Sequence, residues 1–308
     1  MMKVKVAASL LALAMAAVPA TAKAPEPPTA AAAAAKVKAF EASLHPQTGN
    51  ITIPAAKAVL KLGKDYYFLP ADDAKRVLTE VWGNPPESVT DVLGMVLPAG
   101  KTAFDNVWGA VVTYDDSGYV SDQDAAKQDY DQVLTDMRES EDAGNEERRK
   151  AGYAAVHLVG WAQPPSYDAR THALIWARDI RFDGQKLDTL NYDVRLLGRH
   201  GVLSLNMVSD MAHLAEVKTA AQAFGQTAAF QPGATYAEYN SNTDKAAGYG
   251  LAGLVAAGAG VAAAKKFGLL ALILAFGKKF IVLILVALAA AGRFLMGLIG
   301  RRRDPDSL

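Results

Sequence analysis

Asp193, Arg195, Arg199 and His200 fall within eight residues, and by type they are the side chains best suited to hold an anion. A guanidinium meets carboxylate or phosphate through a planar fork of N–H donors, and an imidazole adds a donor or a base near neutral pH. Their spacing places them at one end of a hairpin, so the chemistry expected there is recognition of a small anion or ligand. The competing reading is a solvated strand face followed by a turn, which requires no function of its charges.

Other chemistry finds little to build on. The five histidines, His45, His157, His172, His200 and His213, include no pair at the three- or four-residue spacing of a helical metal site, and H-E-x-x-H is missing. Neither G-x-S-x-G nor G-x-x-x-x-G-K-S/T occurs. With no cysteine, disulfides, thiolate nucleophiles and cysteine zinc sites are excluded together. Asp115, Asp116, Asp122 and Asp124 invite a calcium reading, but they lack the alternate ligands and closing Glu of an EF-hand loop, and turn and cap roles account for them. No metal or cofactor is expected, and the absence of a catalytic motif favours a protein without catalysis. The 32 basic and 32 acidic residues balance, so no basic field directs the chain to nucleic acid.

Between residues 47 and 243 the pattern is that of an α+β domain. Residues 108–114, WGAVVTY, read as a buried strand turned by DDSG. A helix is expected over 72–81, and another starts at the S-x-x-D pair Ser121 and Asp124, carries Ala126, Tyr130, Val133, Leu134 and Met137 on one side, and ends near Gly144. Strands follow over 152–161, 171–182, 188–197 and 202–208. In LNYDVRL, Leu190, Tyr192, Val194 and Leu196 alternate with Asn191, Asp193 and Arg195, predicting one buried and one wet face. A helix over 209–224 closes the domain, with Met211, Leu214, Val217 and Ala221 inward. The expected fold is an antiparallel β-meander with helices on one face, and with Trp161 and Trp176 in or near the core.

The ends read as an address. Lys3 and Lys5, an apolar run and small-x-small sites make residues 1–22 a secretory signal peptide. Residues 23–46 form a Pro/Ala linker. Residues 244–279 are Ala/Gly-rich and interfacial, 280–300 are long and apolar enough to span a bilayer, and 301–308 form a basic tail led by Arg301, Arg302 and Arg303. One crossing puts the arginines in the cytoplasm; two crossings, with 246–264 as the first, put the four lysines there instead. Gly248, Ala252, Ala256, Gly260 and Ala264 recur every four residues, as on a helix-packing face, a pattern that Ala/Gly-rich sequence also produces by chance.

The runs GYVSDQDA, NEERRKAGY, VGWAQPPSYD, ALIWARD, LNYDVRLLGRHGVLSLN and DKAAGYGLAGLV resemble an uncharacterised bacterial family, domain of unknown function 2167, described as predicted membrane-anchored proteins. The resemblance implies an exported domain with a membrane anchor and brings no assigned activity, cofactor or site residue. Sequence and resemblance together lead to the expectation of a bacterial inner-membrane protein whose soluble domain faces the periplasm. Its expected partners are membrane lipids and either an envelope protein or further copies of itself. The alternatives are an enzyme or small-anion sensor at the Asp193 cluster, and an oligomeric membrane assembly.

Overall fold

The computed structural model describes residues 30–257. The chain divides into two compact units, Met1–Ser43 and Leu44–Leu308. In the first, Ala30–Ala42, within the stretch read as a Pro/Ala linker, forms helix α1. Its six leading alanines favour that conformation, since alanine loses no side-chain entropy in a helix.

The second unit is α+β. It runs β1 (Asn50–Ile53), β2 (Ala58–Lys61), β3 (Tyr66–Pro70), α2 (Ala71–Arg76), β4 (Val92–Pro98), β5 (Gly109–Asp115) and β6 (Tyr119–Ser121). It continues with α3 (Tyr130–Glu139), α4 (Glu141–Lys150), β7 (Val156–Asp168), β8 (Ala173–Phe182), β9 (Thr189–Leu197) and β10 (Val202–Asp210). The final elements are α5 (Leu214–Thr227), β11 (Ala228–Phe230), β12 (Ala246–Gly250) and α6 (Leu251–Ala257). Seven strands make an antiparallel sheet in the order β3-β4-β5-β10-β9-β8-β7, two meanders joined where β5 pairs β10. A small sheet, β1-β2-β11, and a parallel pair, β12-β6, complete it.

Helices cover both faces of the large sheet, where one was expected. On the first face, Leu190, Tyr192, Val194, Leu196, Leu203 and Leu205 pack against Val217, Ala220, Ala221 and Phe224 of α5. Phe224 meets Trp108 edge-on at 5.8 Å between ring centroids. On the second face, Leu174, Trp176, Leu197 and Val202 pack with Val133 and Met137 of α3 and with Leu251, Leu254, Val255 and Ala256 of α6. The face expected to be wet is thus an interior, and Asp193 is 0% exposed. Alternation located the two faces correctly but could not say what lay above the polar one.

The helix expected to start at Ser121 begins at Tyr130. Ser121 ends β6, and Asp129 caps α3 by accepting from the backbone N–H groups of Asp131 and Gln132 at 3.1 and 3.0 Å. Helical structure then passes Gly144 and ends at Lys150. The apolar piece expected over 246–264 also starts differently. Its first residues form β12, Gly248 adopts φ +76°, and α6 packs into the domain core. A Cβ at Gly250 would collide with the Asp124 carboxylate, which accepts the Leu251 N–H at the start of α6.

Strand β7 lies at a sheet edge, where unpaired backbone groups invite another chain. Here α3 and α4 occupy them. Arg138, Glu141, Asn145 and Arg148 recur at three- and four-residue intervals and so share one side. Arg138 donates to the carbonyls of Leu158 and Val159, Glu141 accepts the Leu158 N–H at 2.7 Å, and Arg148 donates to Ala154 O at 2.8 Å. Asn145 exchanges two bonds with Val156, at 2.8 and 2.7 Å, and is itself buried. Because Asn145→Leu leaves both Val156 groups unsatisfied, we expect it to cost about 2–3 kcal/mol in denaturant unfolding, with faster hydrogen exchange along β7. Replacing the exposed neighbour Glu146 by Ala should leave both unchanged.

Candidate functional site

The polar residues of the second face meet across three strands. Register sets Arg178 of β8 beside Asn191 of β9, Trp176 beside Asp193, and then Arg195 and Asp193 of β9 beside Ser204 and Asn206 of β10. Asp193 accepts from Arg195 at 2.7 Å through one oxygen and from Arg178 at 3.2 Å through the other. Arg178 also donates to Asn191 Oδ1 at 2.6 Å, Arg195 to Ser204 Oγ at 2.5 Å, and Asn191 and Asn206 bond reciprocally. The Arg195 guanidinium lies over the Trp176 ring, 5.4 Å from its centroid.

Desolvation dominates the electrostatics of this row. Burial pushes the Arg178 guanidinium below its ordinary value, Asp193 pulls it back and Arg195 pushes it down again, yet an arginine stays charged. A buried charge is tolerated only when paired and hydrogen-bonded, and two guanidiniums here share a single carboxylate.

Above Arg178 the sheet and the α3–α4 pair part to leave a cleft of about 350 Å³. Its floor holds Arg178 and Asn191, its walls include Met137, Leu158 and Ile180, and Glu141 and Arg148 stand on its helical side. A cleft of that volume with apolar walls and a few fixed polar groups is the ordinary form of a small-ligand site.

The four residues singled out in the sequence separate. Asp193 and Arg195 are brought together in the buried row. Arg199 instead pairs with Asp244 at 2.7 and 3.0 Å. His200 gives its carbonyl to Gly118 N–H in the neighbouring turn. Arg178, Asn191 and Arg148 were missed. Their signal was a basic residue inside the apolar run ALIWARDI and a polar helix side continuing past Gly144.

Of the proposed helix-packing row, Gly248 lies in a strand, Ala252 and Ala256 lie on α6 with Ala256 buried in the domain's own core, and Gly260 and Ala264 fall outside the described residues. Three of the four aspartates weighed for calcium serve other bonds. Asp115 accepts from Ser117 N–H, Asp122 from the Tyr167 hydroxyl at 2.7 Å, and Asp124 from Gln128 at 2.6 Å. Among the described residues no three His, Cys, Asp or Glu side chains converge as metal ligands would.

Removing one partner of a buried ion cluster strands the others. Asp193→Ala is therefore expected to lose about 3–5 kcal/mol in chemical denaturation, whereas converting Arg178, Asp193 and Arg195 together to Met, Leu and Met recovers most of the loss. Asp244 behaves differently with pH. Hydrogen bonds from Arg199 hold its carboxyl well below the usual carboxylate range, so the pair contributes above the unfolded value, about pH 4, and its contribution fades as pH falls through the folded value. The melting temperature should fall on acidification below about pH 4, and Asp244→Asn should flatten that dependence.

Comparison with known proteins adds a family and little else. No curated protein matches the chain. The solution structure of cyanobacterial PsbP (CyanoP) from Synechocystis sp. PCC 6803 is 10% identical and aligns over 62% of this chain and 94% of its own, with a TM-score of 0.33, too loose a likeness to carry fold or function across. The profile of DUF2167, described as a protein of unknown function, matches residues 45–289. With the match covering most of its length, the chain belongs to the DUF2167 family.

Proposed function

We propose that this is an exported, membrane-tethered accessory or interaction protein of the bacterial envelope, with its α+β domain on the periplasmic side and no catalysis of its own. One observation carries the reading: the family match extends from residue 45 to 289, beyond the folded domain and into the apolar sequence after it, as it would if the two were inherited together. The join supports it. Leu251, Leu254, Val255 and Ala256 pack into the domain core, and the apolar stretch follows them in the sequence. Length and flanking charge of 280–300 favour a span, and the basic charge and apolar run of 1–22 favour export.

Among the described residues no helix is long and apolar enough to cross a membrane, and residues 280–300 lie outside them. A tether there leaves the domain held close to the bilayer, where its partners are lipids and an envelope protein. A second reading, a ligand sensor, is favoured by the cleft floored by Arg178 and is compatible with the first.

Carbonate extraction of membranes from cells making the full chain tests the tether. The protein should stay with the membrane, a chain ending after residue 257 should be released to the periplasmic fraction, and recovery of the full chain as soluble protein would overturn the reading. A C-terminal tag reached by a membrane-impermeant reagent in the periplasm would mark two crossings; a tag protected from it would mark one.

A further inference from the structure

We propose that the cavity where the β7–β8 turn meets the end of α5 binds a small uncharged ligand, an apolar ring carrying one hydroxyl donor, with the hydroxyl on His172 and the ring against Leu196, Leu197 and Phe230. This cavity shares no lining residue with the Arg178 cleft, and the site stands whether or not the chain is tethered.

The proton order in a chain of part-buried groups fixes what His172 offers. The Tyr167 hydroxyl donates to the Asp122 carboxylate at 2.7 Å, and burial together with that bond pushes the phenol well above its ordinary range, so it keeps its proton. A hydroxyl has one hydrogen, so Tyr167 Oη can only accept from His172 Nδ1, which lies 3.0 Å away. Asp122 stands 3.9 Å from the same nitrogen and favours a proton there too. In the neutral imidazole Nε2 is then a bare acceptor, and it bonds to no described residue.

The imidazole is also held in place. Its ring packs on Tyr236 at 4.2 Å between centroids, and Tyr119 and Tyr239 continue the stack at 4.5 and 3.8 Å. His172 takes φ +51°, in the left-handed region that glycine occupies at less cost. A histidine held in a turn conformation that another residue would adopt more easily points to a use for its ring.

Open space of about 380 Å³ lies against it, an ordinary volume for a small-ligand site. Leu196, Leu197 and Ala228 are buried and give apolar walls. Phe230 adds a ring whose seat exists because residue 198 is glycine, since a Cβ there would strike it. None of the lining residues is Asp, Glu, Lys or Arg, so a charged ligand would give up water and meet no counter-ion. Asp168 and Arg170, on a neighbouring cavity, pair with each other. The lining hydroxyls are engaged, Thr171 with Asp168, Thr235 with Glu238 and Tyr236 with Val120 O. His172 Nε2 and the exposed Gln226 amide are left to meet a ligand, too few partners for the hydroxyls of a sugar and enough for a single donor.

The experiment is titration of the detergent-solubilised full chain with para-fluorophenol, followed by fluorine NMR, with phenol, benzene, benzoate, benzylamine and methyl glucoside as competitors. Saturable binding is expected, displaced by phenol, more weakly by benzene, and least by the two charged compounds and the sugar. Gly225 lines the cavity on α5, and a Cβ there would meet nothing within 4 Å. Gly225→Leu should therefore preserve or raise the melting temperature and abolish saturable binding, while uptake by the detergent micelle is common to both proteins and subtracts. His172→Phe keeps a ring on Tyr236, removes the acceptor and should weaken binding roughly tenfold; if that variant fails to fold, Gly225→Leu alone decides. Nitrogen NMR of the unaltered chain should find the proton of neutral His172 on Nδ1, and the Nε2 resonance should move as the phenol binds. Absence of saturable binding, tighter binding of benzoate, benzylamine or the glucoside, a proton on Nε2 of the neutral ring, or binding unchanged in either folded variant would overturn the proposal.

Discussion

One carboxylate held between two guanidiniums inside a β-sheet is the constraint on which the second face of this domain depends. Asp193 is 0% exposed, and its two oxygens answer to Arg195 and Arg178 on neighbouring positions of one sheet face. Charges at such burial must be completed by further partners, and Asn191, Asn206 and Ser204 supply them across three strands. Apolar residues then close the ends of the row, with Trp176 under Arg195 and the α3 and α6 contacts beyond. The same hydrogen bonds that satisfy the charges tie β8, β9 and β10 in register. A sheet slipped by one residue would turn these side chains into the α5 core.

The α3–α4 pair solves a different problem with the same residues. Strand β7 is long and at an edge; Arg138, Glu141 and Asn145 bind its backbone much as a further strand would, and Arg148 binds Ala154 just before it. Side chains standing between helix and strand keep the two from closing fully, and the cleft over Arg178 is the space that results. Edge protection and a ligand-sized opening thus have one physical origin. The other end of the domain is fixed by α6, whose first turn meets the Asp124 carboxylate and whose apolar side joins the core. Burial pushes the Asp124 carboxyl upward, and the Leu251 N–H opposes that shift, so this contact is an electrostatic compromise.

Much of the fold could be read in the amino acids themselves. LNYDVRL alternates because one side of β9 meets α5, and the strand and its neighbours appear where their patterns place them. What could not be read is what covers the alternate face: period two separates two faces but carries no information on a helix 40 or more residues away in sequence. The start of α3 was misplaced because Ser121–Asp124 imitates a capping box, while the actual cap, Asp129, precedes a Tyr that reads equally well as helix interior. Gly248 joined a four-residue pattern with Ala252 and Ala256, yet its positive φ puts it in a strand, a conformation that spacing does not register. Asp193 and Arg195 were named together with Arg199 and His200 as one cluster; Arg178 was not named, because its strand reads as core and its partner is supplied by sheet register.

Nitrogen-detected NMR of the full chain, with arginine labelled at its side-chain nitrogens, tests the central arrangement most directly. The account predicts two guanidiniums, Arg178 and Arg195, with hindered rotation and slow proton exchange, and it predicts that Asp193→Asn releases both together. Rapid averaging of either side chain in the unaltered protein, as for an arginine in water, would contradict it.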